Sequence, residues 1–263
     1  MRQVERGFID RLPRVSIASL GEGGFPALFM SEGTEQCLLQ GYASDAMVPV
    51  PRWEAVSPAK LSRVGSNMPS ESYADFVAFG RIPNEVVNAL QFSARENSGE
   101  NLPVDTLTSL LWELQNVCRF DMTPMLLGFR STEADVPTIT WDYKRSNHPG
   151  LHIDSWEGAP ASARPLSNNR VCVNLGPGKR YFYFIPQTVD GFAANFDTIG
   201  SAGVDELAQR FMRSFPDAPV YSALLEPGDY YIAPTERIIH DASVAPPFAN
   251  TTLTLLGKFT GFW

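Results

Sequence analysis

Short strand-like segments follow one another closely after Val136, and this pattern limits the possible folds more than any other feature of the sequence. Seven segments are rich in β-branched or aromatic residues, and Gly, Pro, Asn or Asp separates most of them. They lie at residues 138–143, 150–154, 170–175, 180–185, 229–233, 237–240 and 251–259. Many short strands joined by tight turns are typical of sandwiches and barrels. The sequence therefore predicts a small barrel or jelly roll.

Helices are predicted at three places, two before the strand-rich part and one inside it. Residues 83–96 begin with a proline, which is common at a helix start. Residues 105–120 begin with an Asp that can cap a helix, and their leucines fall on one stripe. Residues 203–214 show an amphipathic pattern between two strand segments. We expect the first two helices to pack outside the barrel.

The predicted fold class is β-rich α+β, in a single domain spanning residues 1–263. Residues 1–135 are expected to form an N-terminal helical support region, and residues 136–263 the barrel core. The hydrophobic fraction of 44% and the charged fraction of 19% are ordinary for a folded protein. Residues 1–80 carry no motif that indicates a function.

Charge and cysteine usage exclude some functions. A formal net charge of −8 argues against a nucleic-acid partner, which requires a basic surface. The sequence contains no apolar stretch of the length of a membrane span, so no membrane partner is expected. Three cysteines, Cys37, Cys118 and Cys172, cannot all pair within the chain, which favours a reducing compartment. We therefore predict a cytoplasmic protein that acts on a small molecule; no pattern indicates the oligomeric state.

Two of the three histidines occur in a pattern that suits a metal ion. His152 and Asp154 are two residues apart on a predicted strand, so their side chains should point to the same face. His240 ends a later predicted strand and can supply a third ligand. Two neutral imidazoles and a carboxylate on one face of an octahedron leave three positions open, which suits Fe(II). The alternative is that His152 is an ordinary half-buried strand residue and that His240 is a surface histidine beside Asp241.

The surroundings of the histidines resemble a known family. The segment 225–234 (LEPGDYYIAP), followed by Ile239, His240 and Asp241, is typical of cupin-type barrels. The stretch from Gly150 to Phe262 resembles the Fe(II)/2-oxoglutarate-dependent oxygenase superfamily, whose H-x-D…H triad lies on a double-stranded β-helix, a jelly-roll or cupin-like barrel. The resemblance implies that His152, Asp154 and His240 bind the metal and form the catalytic centre. It further implies Fe(II), 2-oxoglutarate as co-substrate and dioxygen.

The implied reaction is oxidation of a small metabolite by hydroxylation, desaturation or cyclisation. Several arginines are compatible with an amino acid or another small carboxylate as the substrate, namely Arg145, Arg164 and Arg170. Two other interpretations stay open. The first is a cupin-like iron oxidase or oxygenase that does not use 2-oxoglutarate. The second is a jelly-roll binding module without catalysis.

The sequence position of the cation that would bind 2-oxoglutarate differs from the position common in the superfamily. Much of the superfamily has an Arg or Lys ten to thirteen residues after the distal histidine, whereas this chain has no Arg after His240, and its only Lys there is Lys258. The run 178–186 (GKRYFYFIP) resembles the JmjC-like branch, which supplies the cation from the fourth barrel strand. Arg180 is the predicted anchor because Arg can bind a carboxylate through two hydrogen bonds, and Lys179 is the alternative. Both would otherwise be solvated residues of a hairpin.

The preceding strand segment provides further candidates. Arg170 and Asn174 share one face with Cys172, and we expect them to bind the co-substrate or the substrate, unless they are an edge arginine and a turn residue. Trp156 follows Asp154 by two residues and either lines the mouth of the site or packs on the barrel rim.

Overall fold

Two large β-sheets form the centre of this computed structural model, which describes residues 9–21, 24–57, 75–96, 102–193 and 203–262. The first sheet has six strands, in the order β1 (Ser16–Ser19), β6 (Phe76–Arg81), β13 (Asp229–Ala233), β10 (Asn169–Pro177), β15 (Asn250–Gly257) and β8 (Met125–Thr132). The second sheet has five strands, in the order β14 (Ile238–Val244), β11 (Arg180–Thr188), β12 (Val220–Leu225), β2 (Ala27–Ser31) and β5 (Trp53–Ala55). All pairs within them are antiparallel except β1 with β6.

Two smaller sheets flank the large ones. One consists of β3 (Thr34–Gln36), β4 (Tyr42–Pro49) and β9 (His148–Gly150). The other pairs β7 (Cys118–Phe120) with β16 (Phe259–Phe262).

Aromatic side chains fill the space between the two large sheets. Phe182 of β11 and Tyr231 of β13 stack across this space, with ring centroids 3.9 Å apart. Phe79 and Cys172 join them from the six-stranded sheet, and Phe184 joins them from the five-stranded sheet. Because side chains alternate along a strand, every second residue of β10 and β11 faces this interior.

Helices cover the outer faces of both large sheets. Leu90 of α1 (Asn84–Glu96) and Leu110 of α2 (Val104–Gln115) pack against the outward-facing residues of the six-stranded sheet. Phe192 of α3 (Val189–Ala193) and Phe211 of α4 (Val204–Ser214) do the same on the five-stranded sheet. The helices predicted at 83–96 and 203–214 are confirmed. The helix predicted at 105–120 ends at Gln115, because Cys118–Phe120 pairs with β16 as a strand.

Two of the seven predicted strands do not form. Residues 138–143 run beside β14 without a regular ladder, and Asp142 accepts hydrogen bonds from the backbone N–H groups of Lys144 and Arg145, which turns the chain. In the segment 150–154, β9 ends at Gly150, which has a φ of 77°. The other five segments correspond to β10, β11, β13, β14 and β15 with β16.

The first 135 residues contribute more than the expected helical support. Five of the eleven strands in the two large sheets come from this region: β1, β2, β5, β6 and β8. Their strand patterns are short and interrupted by Ser, Pro and Gly, so they were not predicted. The strand-rich part also contains β12, which was not predicted. The observed fold is therefore β-rich with few helices, and its organisation as one domain stays a prediction.

The three cysteines are buried and unpaired. Among the described residues, no helix has both the length and the apolar character to cross a membrane. The cytoplasmic location stays a prediction.

Candidate metal centre

The three residues of the predicted triad come together at one end of β14. His152 and His240 face each other as an isolated antiparallel bridge, in which each backbone N–H donates to the carbonyl of the other residue at 3.0 and 2.8 Å. The backbone N–H of Asp154 donates to the carbonyl of Thr235 at 3.0 Å. Thus the segment after β9 is fixed to the segment that carries the distal histidine, although it is not itself a strand.

The side-chain distances fit a shared divalent cation. Nε2 of His152 lies 3.5 Å from Oδ1 of Asp154, and Nε2 of His240 lies 3.5 Å from Oδ2. The candidate ligand atoms all lie within 4.8 Å of one another, and all three residues are buried. Two ligands about 2.1 Å from a metal and at a right angle to each other are about 3 Å apart. The triad is therefore close to the spacing that a metal requires.

The backbone orients both imidazoles for ligation. Nδ1 of His152 lies 3.0 Å from the carbonyl of Gly150, and Nδ1 of His240 lies 3.2 Å from the carbonyl of Ile238. An Nδ1–H that donates to a carbonyl leaves the lone pair on Nε2, directed at Asp154. Nε2 of His240 is buried and has no hydrogen-bond partner among the residues that the structure describes. A buried polar atom without a partner is costly, and a metal ion at this position would satisfy it.

The protonation states differ between the two histidines. Burial lowers the pKa of His240 to about 4, which keeps it neutral near pH 7, as a ligand must be. Burial also opposes charge on His152, but the carboxylates of Asp154 and Asp241 outweigh it and raise its pKa to about 10. Burial acts to raise the pKa of Asp154, but the charge of Arg170 and the hydrogen bond from His152 instead hold it well below its usual range. The carboxylates of Asp154 and Asp241 favour a proton on His152, and this proton occupies the position at which a metal ion would bind.

Arg180 and Lys179 lie in opposite environments. Arg180 is buried, and in the described part of the chain its Nε and Nη1 have no hydrogen-bond partner. Its side chain faces the interior, together with Phe182 and Phe184. Tyr231 is close to it: burial raises the pKa of Tyr231, and the positive charge of Arg180 opposes that rise. Lys179 is half exposed and forms an ion pair with Glu226 at 2.6 Å. Of the two candidates, Arg180 is the one with buried, unpartnered donors.

The two candidates on β10 also differ. Arg170 reaches Asp154, with Nη2 2.7 Å from Oδ2, and its guanidinium lies 5.6 Å from the ring centroid of the half-exposed Trp156. Asn174 bonds to the carbonyls of Gly178 and Leu225, and its side-chain oxygen accepts from Gly176 and Asn250. Asn174 thus stabilises a turn, and we leave it out of the proposed site.

Two residues near the triad have positions that sequence reasoning did not anticipate. Asp241 is fully buried, with Oδ2 3.5 Å from Nδ1 of His152. Arg164, considered as a substrate-binding residue, is buried and donates to the backbone carbonyls of Asp154 and Glu236. In the sequence, only the position of Asp241 next to His240 indicates that it lies near the site. Strand alternation does not, because it would turn the side chain of Asp241 away from the face that carries the metal ligands. The third arginine considered for a substrate, Arg145, lies on an exposed turn beside Asp142.

The fold and the site together define a two-sheet β protein with a buried His-Asp-His cluster that can hold a divalent metal ion. No protein-family model matches the sequence, and no curated protein matches it. Solved structures of the Kdo hydroxylase KdoO, a non-heme Fe(II) alphaketoglutarate dependent dioxygenase, are similar to this chain.

The complex of KdoO with alphaketoglutarate and Fe(III) is 13% identical over 70% of this chain and 79% of that chain, with a TM-score of 0.40. The cobalt(II) complex is 12% identical over 70% of this chain and 80% of that chain, with the same TM-score. No residue role is transferred from them at this similarity, and the assignment of the site rests on the distances given above.

Proposed function

We propose that this protein is a non-haem Fe(II)- and 2-oxoglutarate-dependent dioxygenase that oxidises a small molecule on a double-stranded β-helix. The observation that carries the proposal is the convergence of His152, Asp154 and His240, with both Nε2 atoms directed at the carboxylate and Nε2 of His240 buried without a partner. Two imidazoles and one carboxylate are the ligand set of Fe(II) oxygenases, and they leave open positions on the metal. When bound, the iron would supply the activation of dioxygen, and the protein would hold the reactants and exclude water.

The 2-oxoglutarate anchor in this proposal is Arg180. The late-strand positions hold no cation: Asn250 bonds to Asn174, and the hydroxyl of Thr251 lies 3.0 Å from that of Ser131. Arg180 instead has unpartnered donors in the interior between the sheets, where a buried guanidinium without an anion is unfavourable. The far carboxylate of 2-oxoglutarate would satisfy it.

We propose a small metabolite as the substrate, with an amino acid or another small carboxylate as the preferred class. Hydroxylation, desaturation and cyclisation are all compatible with this ligand set. The presence of Asp154 disfavours halogenation, because that reaction usually requires a small residue in place of the carboxylate to admit a halide.

The test is an anaerobic titration of the purified protein with Fe(II) and then with 2-oxoglutarate. A keto acid that chelates Fe(II) in open positions gives a visible charge-transfer band, which should appear only when both are present. His240→Ala should abolish the band, and His148→Ala, which changes a histidine outside the triad, should retain it. Iron binding without the band would favour the cupin-like oxidase that does not use 2-oxoglutarate. The absence of metal binding would favour the non-catalytic module.

A further inference from the structure

The contact between Arg170 and Asp154 suggests a role that a simple ion pair does not explain. Nη2 of Arg170 lies 2.7 Å from Oδ2 of Asp154, and the side chains are only 17% and 9% exposed. At this distance, two opposite charges in a largely buried place attract each other strongly, and the attraction favours one orientation of both side chains. We propose that Arg170 is a positioning residue that holds Asp154 so that a single carboxylate oxygen binds the metal. This inference rests on the proposed function.

The geometry of the triad shows why such a constraint matters. Oδ1 of Asp154 lies near His152 and Oδ2 lies near His240, so both oxygens border the metal position. A carboxylate in that place can bind a metal through one oxygen or through both. Because Arg170 occupies Oδ2, Oδ1 is the oxygen that remains free for the metal. Single-oxygen binding keeps three of six positions open, which is the number that a chelating keto acid and dioxygen require together.

The surroundings of Arg170 keep its guanidinium in place. Arg170 lies on β10, an inner strand of its sheet, where it is opposite Ala233 on one side and Leu256 on the other. Its guanidinium also lies over the ring of Trp156, 5.6 Å from the ring centroid. Trp156 is 55% exposed. A single side chain therefore connects the solvent-facing edge of the site to a metal ligand.

The interior thus contains two arginines with different tasks. Nη2 of Arg170 lies 2.7 Å from a carboxylate of the protein, although its Nε has no hydrogen-bond partner among the described residues. Arg180 forms no ion pair within the described residues, and two of its nitrogens have no hydrogen-bond partner there. The charge of Arg170 is therefore balanced within the protein, and that of Arg180 is left for a bound anion. This division separates the positioning of a metal ligand from the binding of the co-substrate.

The experiment uses Co(II), a spectroscopic substitute for Fe(II) whose visible spectrum reports coordination number and does not depend on turnover. We expect Arg170→Gln to bind Co(II) about 10- to 100-fold more weakly than the wild type, as is usual when the partner of a metal ligand is removed. Its visible spectrum should also change, because the freed carboxylate can bind through both oxygens. Arg170→Lys keeps the charge but lacks the planar fork, so it should recover part of the affinity.

The matched control is Arg81→Gln. Arg81 lies on the same sheet and forms an ion pair with Asp229 at the same distance of 2.7 Å, away from the triad. This variant should bind Co(II) with the wild-type affinity and spectrum. Thermal unfolding tests whether each variant is folded. If Arg170→Gln does not fold, the Co(II) affinity and spectrum of Arg170→Lys are compared with those of the wild type.

Three results would overturn the inference. One is a wild-type affinity and spectrum in both Arg170 variants. Another is tighter Co(II) binding, which would mean that Arg170 competes with the metal for Asp154. The third is a loss of 2-oxoglutarate affinity with an unchanged Co(II) spectrum, which would make Arg170 the co-substrate anchor. A wild-type protein that binds no Co(II) at the triad would instead overturn the proposed function.

Discussion

At the scale of single residues, the site depends on which buried polar groups have partners and which do not. The carboxylate of Asp154 is held by Arg170, and His152 is held by the carbonyl of Gly150 and by Asp241. Within the described residues, Nε2 of His240, Oδ2 of Asp154, Nε of Arg170 and two nitrogens of Arg180 have no hydrogen-bond partner. Since buried polar groups are normally satisfied, these atoms mark the positions that ligands should take.

The first residue-level prediction concerns the co-substrate anchor. Arg180→Ala should raise the 2-oxoglutarate concentration needed for half-saturation by about 10²-fold, since a charge-assisted pair of about 2–3 kcal/mol is lost. Iron binding should stay intact. The charge-transfer band during titration measures both quantities. Lys179→Ala is the matched control, because its partner Glu226 lies on the surface, and it should titrate like the wild type. An effect in Lys179→Ala alone would move the anchor to Lys179.

The second residue-level prediction concerns Asp241. Its Oδ1 accepts from the backbone N–H groups of Ile139 and Thr140, so the side chain is held with Oδ2 towards His152. Asp241→Asn should weaken metal binding about 10-fold, because carboxylate partners of metal-binding histidines fix the ring and raise its basicity. Equilibrium dialysis with Co(II) measures the affinity. The control Asp135→Asn removes an exposed carboxylate and should not change the affinity for Co(II). Equal affinities in the wild type, Asp241→Asn and Asp135→Asn would contradict the prediction.

At the scale of secondary-structure elements, the ligand segment is held by its neighbours and not by its own strand. Gly150 ends β9 with a positive φ, and a Cβ at this position would lie 2.4 Å from the carbonyl oxygen of Met47 on β4. After this turn, His152 bridges to His240, and Arg164 donates to the carbonyl of Asp154. The turn at Gly150 therefore sets the direction in which His152 enters the site.

The element-level prediction is a comparison of two glycines. Gly150→Ala should destabilise the protein by more than Gly158→Ala and should weaken metal binding, because it combines strain with a backbone clash. Gly158 also has a positive φ of 63°, but a Cβ there meets no atom within 4 Å, so only the strain of about 1–3 kcal/mol applies. Urea unfolding measures both changes. Equal destabilisation of the two variants would show that the close approach of residue 150 to Met47 has no effect on the free energy of unfolding.

At the scale of the whole molecule, the site lies where the two sheets and their connections meet. Phe182 and Tyr231 close the interior beside the triad, with the ring of Phe182 centred 6.1 Å from that of His240. The apolar clusters between the sheets and under the outer helices consist of other residues than the three metal ligands, so we expect the fold to persist without a metal.

The whole-molecule prediction follows from binding linkage. Co(II) at about 100 times its dissociation constant should stabilise the folded protein by about 2.7 kcal/mol, which is visible as a rise in the unfolding temperature. Variants His152→Ala, Asp154→Asn and His240→Ala should fold and show no rise. His148→Ala should keep the rise, because His148 packs against Tyr42 and Trp141 outside the triad. A normal rise in every triad variant would contradict the metal assignment.

Local sequence patterns were sufficient for the elements whose side chains follow a clear period. The amphipathic stripes of α1 and α4 and the alternating strands β10, β11 and β13 match their predicted positions closely. Arg180, Phe182 and Phe184 alternate along β11, so they lie on one face of the strand, and all three are buried. These features depend on near neighbours in the chain, so the sequence alone determines them.

Only the tertiary structure decided the features that depend on distant contacts. The N-terminal strands have weak patterns of their own, and β2 and β6 gain hydrogen bonds from β12 and β13. The segment 150–154 reads as a strand, but the turn at Gly150 and the bridge to His240 override its propensity. Arg170 and Asp241 likewise obtain their roles from partners across the fold. The sequence determined which residues could bind a metal, and the packing of the sheets determined which charged groups hold them in place, because a side-chain contact between separate strands leaves no local period in the chain.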